Sequence, residues 1–358
     1  MHRLTDFWKV VRLQALLMLL TVSALGALGE ISIRAVHYFW DRAPIDRSMS
    51  HLVDQDEMLG WRVAPDKNET YRMTDATGTV YLVRYKTGPH GFRLFGNPNS
   101  TDETKVLIIG DSFTHAIEVS NDQTYYALMQ RRLAPTQIFA YGAAGYGTLQ
   151  EVLFIEEIIN LVRPQILVLQ VHSNDIINNS YELELASYIN NNRHARPYLD
   201  DNGAITVRTP QSKLGMAMTV LAYYSRLASW AVHRFDALMA VNAQTRTVEN
   251  QIQATGFDHP GFQRALRLTE RSLSRLRAEL PATVKLYAFS ADHREPFATA
   301  MGALLTQQGF TIIDGVADAI EAARRRGEPV FAVDGGHWSP AGHRIAAGII
   351  GDKLSCDL

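Results

Sequence analysis

The sequence predicts an α/β protein built on a central parallel sheet, preceded by an N-terminal transmembrane helix and a small β-rich lead-in. Three observations carry this. Short apolar runs at 105–109, 137–141 and 166–171 alternate with helical patterning, as in strand–helix–strand units of a parallel sheet. Gln14 is the only strongly polar side chain from Leu13 to Gly29. Thr79 to Tyr85 has the β-branched and aromatic content of a strand before the sheet begins. With 46% hydrophobic and 20% charged residues, the chain can pack a core and is not disordered as a whole.

The first segment, residues 1–35, is read as a membrane anchor or signal segment. Extended to Ile33, its apolar run approaches the roughly 20 residues that span a bilayer. Arg3, Lys9 and Arg12 precede it, and Arg34, Arg42 and Arg47 follow it, so charge does not fix its orientation. A cleavable signal is the competing reading, because Ala24-Leu25-Gly26 and Ala27-Leu28-Gly29 resemble small-residue cleavage sites. A buried core helix is the bland one. The retained anchor is preferred.

Residues 36–103 form the lead-in, closing with the loop signal Asn97-Pro98-Asn99-Ser100. Residues 104–358 form the main domain. Lys105 to Ile109 ends at Gly110 as a buried parallel strand. A helix from Tyr125 to Leu133, a strand from Gln137 to Tyr141, a helix from Leu149 to Val162 and a strand from Ile166 to Val171 follow. An insertion at about 180–260 interrupts the rhythm. Its segment Leu214 to Val241 reads as one long helix, too charged for a second span and suited to covering the site. A helix at 270–280, strands at 284–290 and 311–314, and a closing helix at 341–354 complete the chain.

Lys+Arg is 35 and Asp+Glu is 37, a net charge of −2, which argues against a nucleic-acid binder. The single cysteine, Cys356, forms no internal disulfide and no Cys-based zinc site. The twelve histidines contain no His-Glu-x-x-His, and Gly142-x-x-Gly145-x-Gly147 is not the dinucleotide fingerprint. No metal and no cofactor are expected.

Four loops carry chemistry. Ser112 in Gly110-Asp111-Ser112 follows a strand and opens a helix, where backbone N–H groups favour developing negative charge. His337 in Asp334-Gly335-Gly336-His337 is a candidate base with Asp334 to orient it. Gly145 in the turn after the second strand can present an N–H, and Asn174 after the third can donate a side-chain amide. Each has an ordinary reading as a helix cap or turn former. Their joint order, each at a sheet edge, favours a site. His115 is read as a helix-face residue and His343 as a helix-packing one.

The chain resembles the SGNH hydrolases (GDSL esterase/lipase superfamily), over residues 104–180 and 262–352. Gly110-Asp111-Ser112-Phe113-Thr114 matches the nucleophile block. Gly145 stands at the oxyanion glycine, Asn174 at the asparagine, and Asp334-x-x-His337 at the last block. The lead-in pieces Leu59-Gly60-Trp61 and Gly91-Phe92-Arg93 are similar to those of bacterial membrane-anchored members. Two positions depart: His172 replaces the usual glycine before the asparagine block, and Ala140 replaces an asparagine before the glycine block. The resemblance implies a three-layer α/β/α sandwich (SGNH/flavodoxin-like). It implies Ser112, His337 and Asp334 as the triad, with Ser112, Gly145 and Asn174 as the oxyanion hole.

The implied activity is serine-dependent ester hydrolysis through an acyl-enzyme, on acetyl or other O-acyl groups of envelope or secreted glycans. Polysaccharide O-acetyl transfer through the same site, and a catalytically idle glycan-binding or assembly component, are the alternatives. The expected partners are an acyl ester and the membrane, and the expected place is the bacterial inner membrane with the body in the periplasm.

Overall fold

The N-terminal apolar segment forms one helix, α1 (His2–Trp40), in the computed structural model, which describes residues 2–40, 49–101, 103–187, 189–242, 247–356 and 358. The chain divides into two compact units: residues 1–44 with 211–243, and 45–210 with 244–358.

In the larger unit the lead-in makes two antiparallel hairpins. β1 (Val53–Asp56) pairs with β2 (Gly60–Val63), and β3 (Asn68–Thr74) pairs with β4 (Val80–Lys86). The sheet opens with β5 (Lys105–Gly110), followed by α2 (Ser112–His115), α3 (Tyr125–Arg132), β6 (Gln137–Gly142), α4 (Thr148–Val162) and β7 (Ile166–Val171). Next come α5 (Asn174–Asn178), α6 (Tyr181–Ala186) and a hairpin of β8 (Arg196–Leu199) and β9 (Ile205–Arg208). The chain then enters the smaller unit as α7 (Lys213–Tyr224) and α8 (Arg226–Asn242). It returns through α9 (Val248–Thr255), α10 (Pro260–Glu279), β10 (Lys285–Ser290), α11 (Phe297–Gln307), β11 (Thr311–Ile312), α12 (Val316–Arg325) and α13 (Pro340–Ser355).

Five strands pair in parallel in the order β11-β10-β7-β5-β6. Numbered within the sheet this is 2-1-3-4-5 read from β6, the flavodoxin-like order, and its topological switch point lies between β5 and β7. β5 and β7 are buried along their whole length because both faces are covered. The two-residue period of a strand sorts their side chains. Leu107, Ile109, Leu167 and Leu169 join the core with α4, α10 and α11. Val106, Ile108, Ile166 and Val168 join the core with α3, α12 and α13. Each such burial contributes about 1.5–3 kcal/mol, so these apolar runs fix the three layers.

Several expected boundaries move. α10 begins at Pro260, ten residues before the expected 270, with the His259 imidazole capping Phe262 N–H at 3.2 Å. α11 (297–307) fills the stretch between the expected strands at 284–290 and 311–314. The lead-in shares the sheet's core, since Leu59, Trp61, Val63 and Phe92 are buried among its residues.

The expected single covering helix at 214–241 is corrected on two counts. It is broken at Ser225, which sits in extended geometry and whose hydroxyl caps the Ala228 N–H at 3.0 Å. It also groups with α1 and not with the sheet unit. Within that unit, Glu30 of α1 receives the first N–H groups of α8, Arg226 at 3.0 Å and Leu227 at 2.8 Å, together with the Ser225 hydroxyl at 2.9 Å.

Candidate active site

β5 delivers Ser112 to the sheet's C-terminal edge. Asp111 caps the short α2, its Oδ1 accepting the Phe113 N–H at 3.0 Å. The helix stops after one turn because Ala116 adopts a left-handed φ of +51°. The cap leaves the Ser112 hydroxyl half-buried at a helix start.

His337 Nε2 lies 2.9 Å from Ser112 Oγ. Behind it, Nδ1 lies 2.5 Å from Asp334 Oδ2. Asp334 is itself fixed, since its Oδ1 accepts the N–H groups of Gly336 at 3.0 Å and His337 at 3.1 Å. Three of the predicted residues thus form one continuous line. A second carboxylate, absent from the sequence prediction, closes on the same nitrogen: Glu118 Oε1 is 3.5 Å from His337 Nδ1 and its residue is buried.

Burial would lower the His337 pKa. The Glu118 charge, then the Asp334 hydrogen bond and charge, outweigh it and push the imidazole up to about 9. Burial raises the Glu118 carboxyl, and the His337 charge pulls it back. For Asp334 burial also acts upward, but its bonds to His337 hold it below the usual carboxylate range. Glu118, Asp334 and His337 offer ligand atoms within 4.8 Å of one another, the arrangement a metal ion would need. Two of the three, Asp334 and His337, belong to the line from Ser112, and both ring nitrogens of His337 already face Asp334 and Ser112.

Gly145 stands on the loop after β6 and Asn174 opens α5 after β7, the two strands that flank β5 on either side. Gly145 has φ +77°, a left-handed backbone that favours glycine, and a Cβ there would displace the tip of the Asn192 side chain. The Ala143 N–H bonds Gly110 O at 3.2 Å, tying this loop to the nucleophile turn. Asn174 Nδ2 gives one hydrogen to Asn178 Oδ1 at 2.9 Å, and an amide has a second to offer. Its Oδ1 meets His172 Nδ1, while His172 Nε2 lies 3.4 Å from Asp292 Oδ2. The ring of His172 also packs on Phe113 at 5.1 Å. The residue that departs from the usual glycine therefore orients the asparagine.

His343 packs as expected, and His115, read as a helix-face residue, is buried as well. Both are buried, and burial, then Arg93 and His337, lower each to about 3. His115 Nε2 pairs with the Tyr85 hydroxyl at 2.8 Å, and His343 Nδ1 accepts the Tyr125 N–H at 3.2 Å.

The lead-in builds the walls of this site. Arg93 is buried and its guanidinium donates to His115 O, to Ala116 O at 2.8 Å and to Val119 O at 3.1 Å, stapling the loop after the nucleophile. Tyr71 and Tyr81 hydroxyls donate to Ile117 O at 2.5 Å and Glu118 O at 2.9 Å. On the other side, Val333 N–H bonds Thr74 O at 2.9 Å beside the Asp334 turn. Beneath the floor, Glu151 and Asp175 are buried acids. Burial, then Asp111 for Glu151 and Glu151 for Asp175, raises both well above the usual carboxylate range.

No family model and no curated protein matches the chain. Solved structures do resemble it. TesA aligns at 13% identity over 71% of this chain and all of that one, with TM-score 0.41. A lipase/acylhydrolase from Enterococcus faecalis aligns at 12% identity over 72% and 97%, TM-score 0.40. A member of the lipolytic protein G-D-S-L family from Veillonella parvula aligns at 10% identity over 70% and 97%, TM-score 0.39.

Proposed function

We propose that this chain is a serine-dependent ester hydrolase working through an acyl-enzyme and held to a membrane by α1. The single observation that carries the reading is the line from Ser112 Oγ through His337 to Asp334, at a strand end and a helix start. A serine hydroxyl needs a base to attack at neutral pH, and an imidazole oriented by a carboxylate is such a base.

His337 Nε2 takes the Ser112 proton as Oγ bonds the ester carbonyl carbon, whose π pair moves onto oxygen. The N–H groups of Ser112 and Gly145 and the second Asn174 amide hydrogen receive that oxyanion. Collapse expels the alcohol oxygen, which takes the proton back from His337. Water then attacks the acyl-serine by the same base, releasing the acid and restoring Ser112.

The substrate class we assign is an O-acyl, chiefly acetyl, group on an envelope or secreted glycan. The support for it is the resemblance to membrane-anchored bacterial members together with α1. Val11–Ala35 of α1 is 25 residues long and apolar, with none of its side chains buried in the protein. At 1.5 Å per residue it reaches about 38 Å, enough for a bilayer core of about 30 Å. That exposure favours an anchor over a core helix; the resemblance to membrane-anchored members is the support for placing the body in the periplasm.

The test is acetate release from an activated acetyl ester by the full chain in detergent, beside Ser112→Ala, with and without mixed oligosaccharide acceptors. Serine-dependent acetate without a mass gain on sugar supports the hydrolase. Acetylated sugar would replace it with the transferase. Loss of fluorophosphonate labelling at Ser112 in the folded protein would leave the idle component.

A further inference from the structure

We propose that α7 and α8 form a second membrane-facing element, an interfacial helical hairpin bedded in the lipid beside α1. The proposal rests on the reading of α1 as a span. It begins from α7, none of whose twelve residues is buried. Leu214, Val220, Leu221, Tyr223 and Tyr224 are all more than half exposed. A helix that is apolar all round belongs inside a core or a bilayer, and this one is not inside a core.

The neighbouring contacts say what covers it. Glu30 lies five residues before Ala35, the end of the apolar span, or about 8 Å along the helix axis. Its carboxylate caps α8 through Arg226 and Leu227, and it pairs with Arg34 at 2.7 Å. At Gly29 the helices approach so closely that a Cβ would lie 3.2 Å from Leu227 Cδ2. The start of α8 is thereby fixed at the level where α1 leaves the hydrocarbon, and whatever surrounds α1 there surrounds the corner between α7 and α8.

That corner has the composition of a membrane boundary. Tyr223, Tyr224 and Trp230 are exposed around it, beside Arg226 and Arg34. Arg234 lies over the Trp230 ring at 5.9 Å, and Phe235 and Leu238 are exposed farther along α8. Mixed basic and apolar surface suits a helix lying in the headgroup plane. Twelve residues in α7 reach about 18 Å, too short to cross. The partner is therefore a lipid surface, and the hairpin enters one leaflet without spanning.

The experiment uses the full chain with Cys356→Ser, reconstituted in phosphatidylcholine–phosphatidylglycerol vesicles. An environment-sensitive fluorophore is placed by Leu221→Cys on α7, by Leu20→Cys on α1, and by Asn202→Cys on the exposed β8–β9 turn. Quenching by nitroxide-bearing lipid is compared with quenching by aqueous iodide. The expected result is that the Leu221 label loses most of its emission to the lipid nitroxide, as the Leu20 label does, and is shielded from iodide. The Asn202 label shows the reverse. A Leu221 label quenched by iodide and untouched by lipid, with Leu20 in the bilayer, overturns the hairpin and leaves the anchor standing. Aqueous behaviour of both overturns the anchor as well.

Discussion

On the proposed mechanism, replacing Glu118 by glutamine should raise ester turnover at neutral pH. The base must be unprotonated to accept the Ser112 proton, yet His337 is pushed up to about 9. At pH 7 that leaves about 1% of it free. Glu118 Oε1 sits 3.5 Å from Nδ1. A unit charge at that distance is worth about 1.2 kcal/mol at the dielectric of water and about 5 kcal/mol at an effective value near 20. His337 is about a third exposed, with 31% of its side chain accessible, so the lower figure is the safer one. It corresponds to roughly one pKa unit. Glu118→Gln keeps the shape, removes the charge, and moves the acid limb of kcat/KM down by about that unit. Activity at pH 7 then rises roughly tenfold, while the alkaline plateau stays put. The assay is a profile from pH 5 to 10 on an activated acetyl ester, corrected with Ser112→Ala. An acid limb that does not move, or a plateau that falls with activity at pH 7, would refute the reasoning and make Glu118 a purely structural acid.

Ser112→Ala should abolish turnover with its thermal melt unchanged, and the wild-type chain should gain one phosphonyl mass at Ser112 on intact-protein spectrometry. Asn174→Ala removes an oxyanion donor and should lower kcat about 10²–10³-fold with KM nearly kept, which steady-state kinetics on the same ester would show. His172→Gly, which frees Asn174 Oδ1, should lower kcat by roughly tenfold to a hundredfold through misplacement, without shifting the pH profile. Burial, then the Asp111 charge, raises the Glu151 carboxyl well above its ordinary range in the folded chain, whereas it ionises above about pH 4 when unfolded. Its contribution to stability is therefore full below that pH and declines as pH rises toward its folded value. Glu151→Gln should gain melting temperature relative to wild type between pH 5 and 9, and a constant difference across that range would count against it.

The sheet was legible because its strands are continuous apolar runs, as in Lys105 to Ile109 and Ile166 to Val171, closed by glycine or a polar block. The Ser112–His337–Asp334 line was legible because its parts sit in two short blocks at strand and helix ends. Glu118 was not, since nothing local marks it: it meets His337 only when loops more than 200 residues apart fold together. Arg93 was visible as part of a lead-in motif, but its work on the carbonyls of 115–119 exists only in three dimensions. His172 was flagged as a departure, and its hold on Asn174 and Asp292 needed the fold to appear. The break at Ser225 was missed because the apolar pattern runs on through it, and an extended serine cap interrupts a helix without changing that pattern. The early start of α10 had a signal, His259 before Pro260, that its charged surface obscured.

Ser112 and the imidazole proposed to activate it are 225 residues apart in the chain. A ribosome makes the serine well before its partner. Until the Asp334–His337 block arrives, Ser112 carries an ordinary hydroxyl with no imidazole beside it, however well β5 to β7 have formed. A chain interrupted between the two blocks would keep its apolar helix and its serine yet, on the proposed mechanism, hydrolyse nothing. The order of the blocks thus makes synthesis of the second one the step that arms the chemistry.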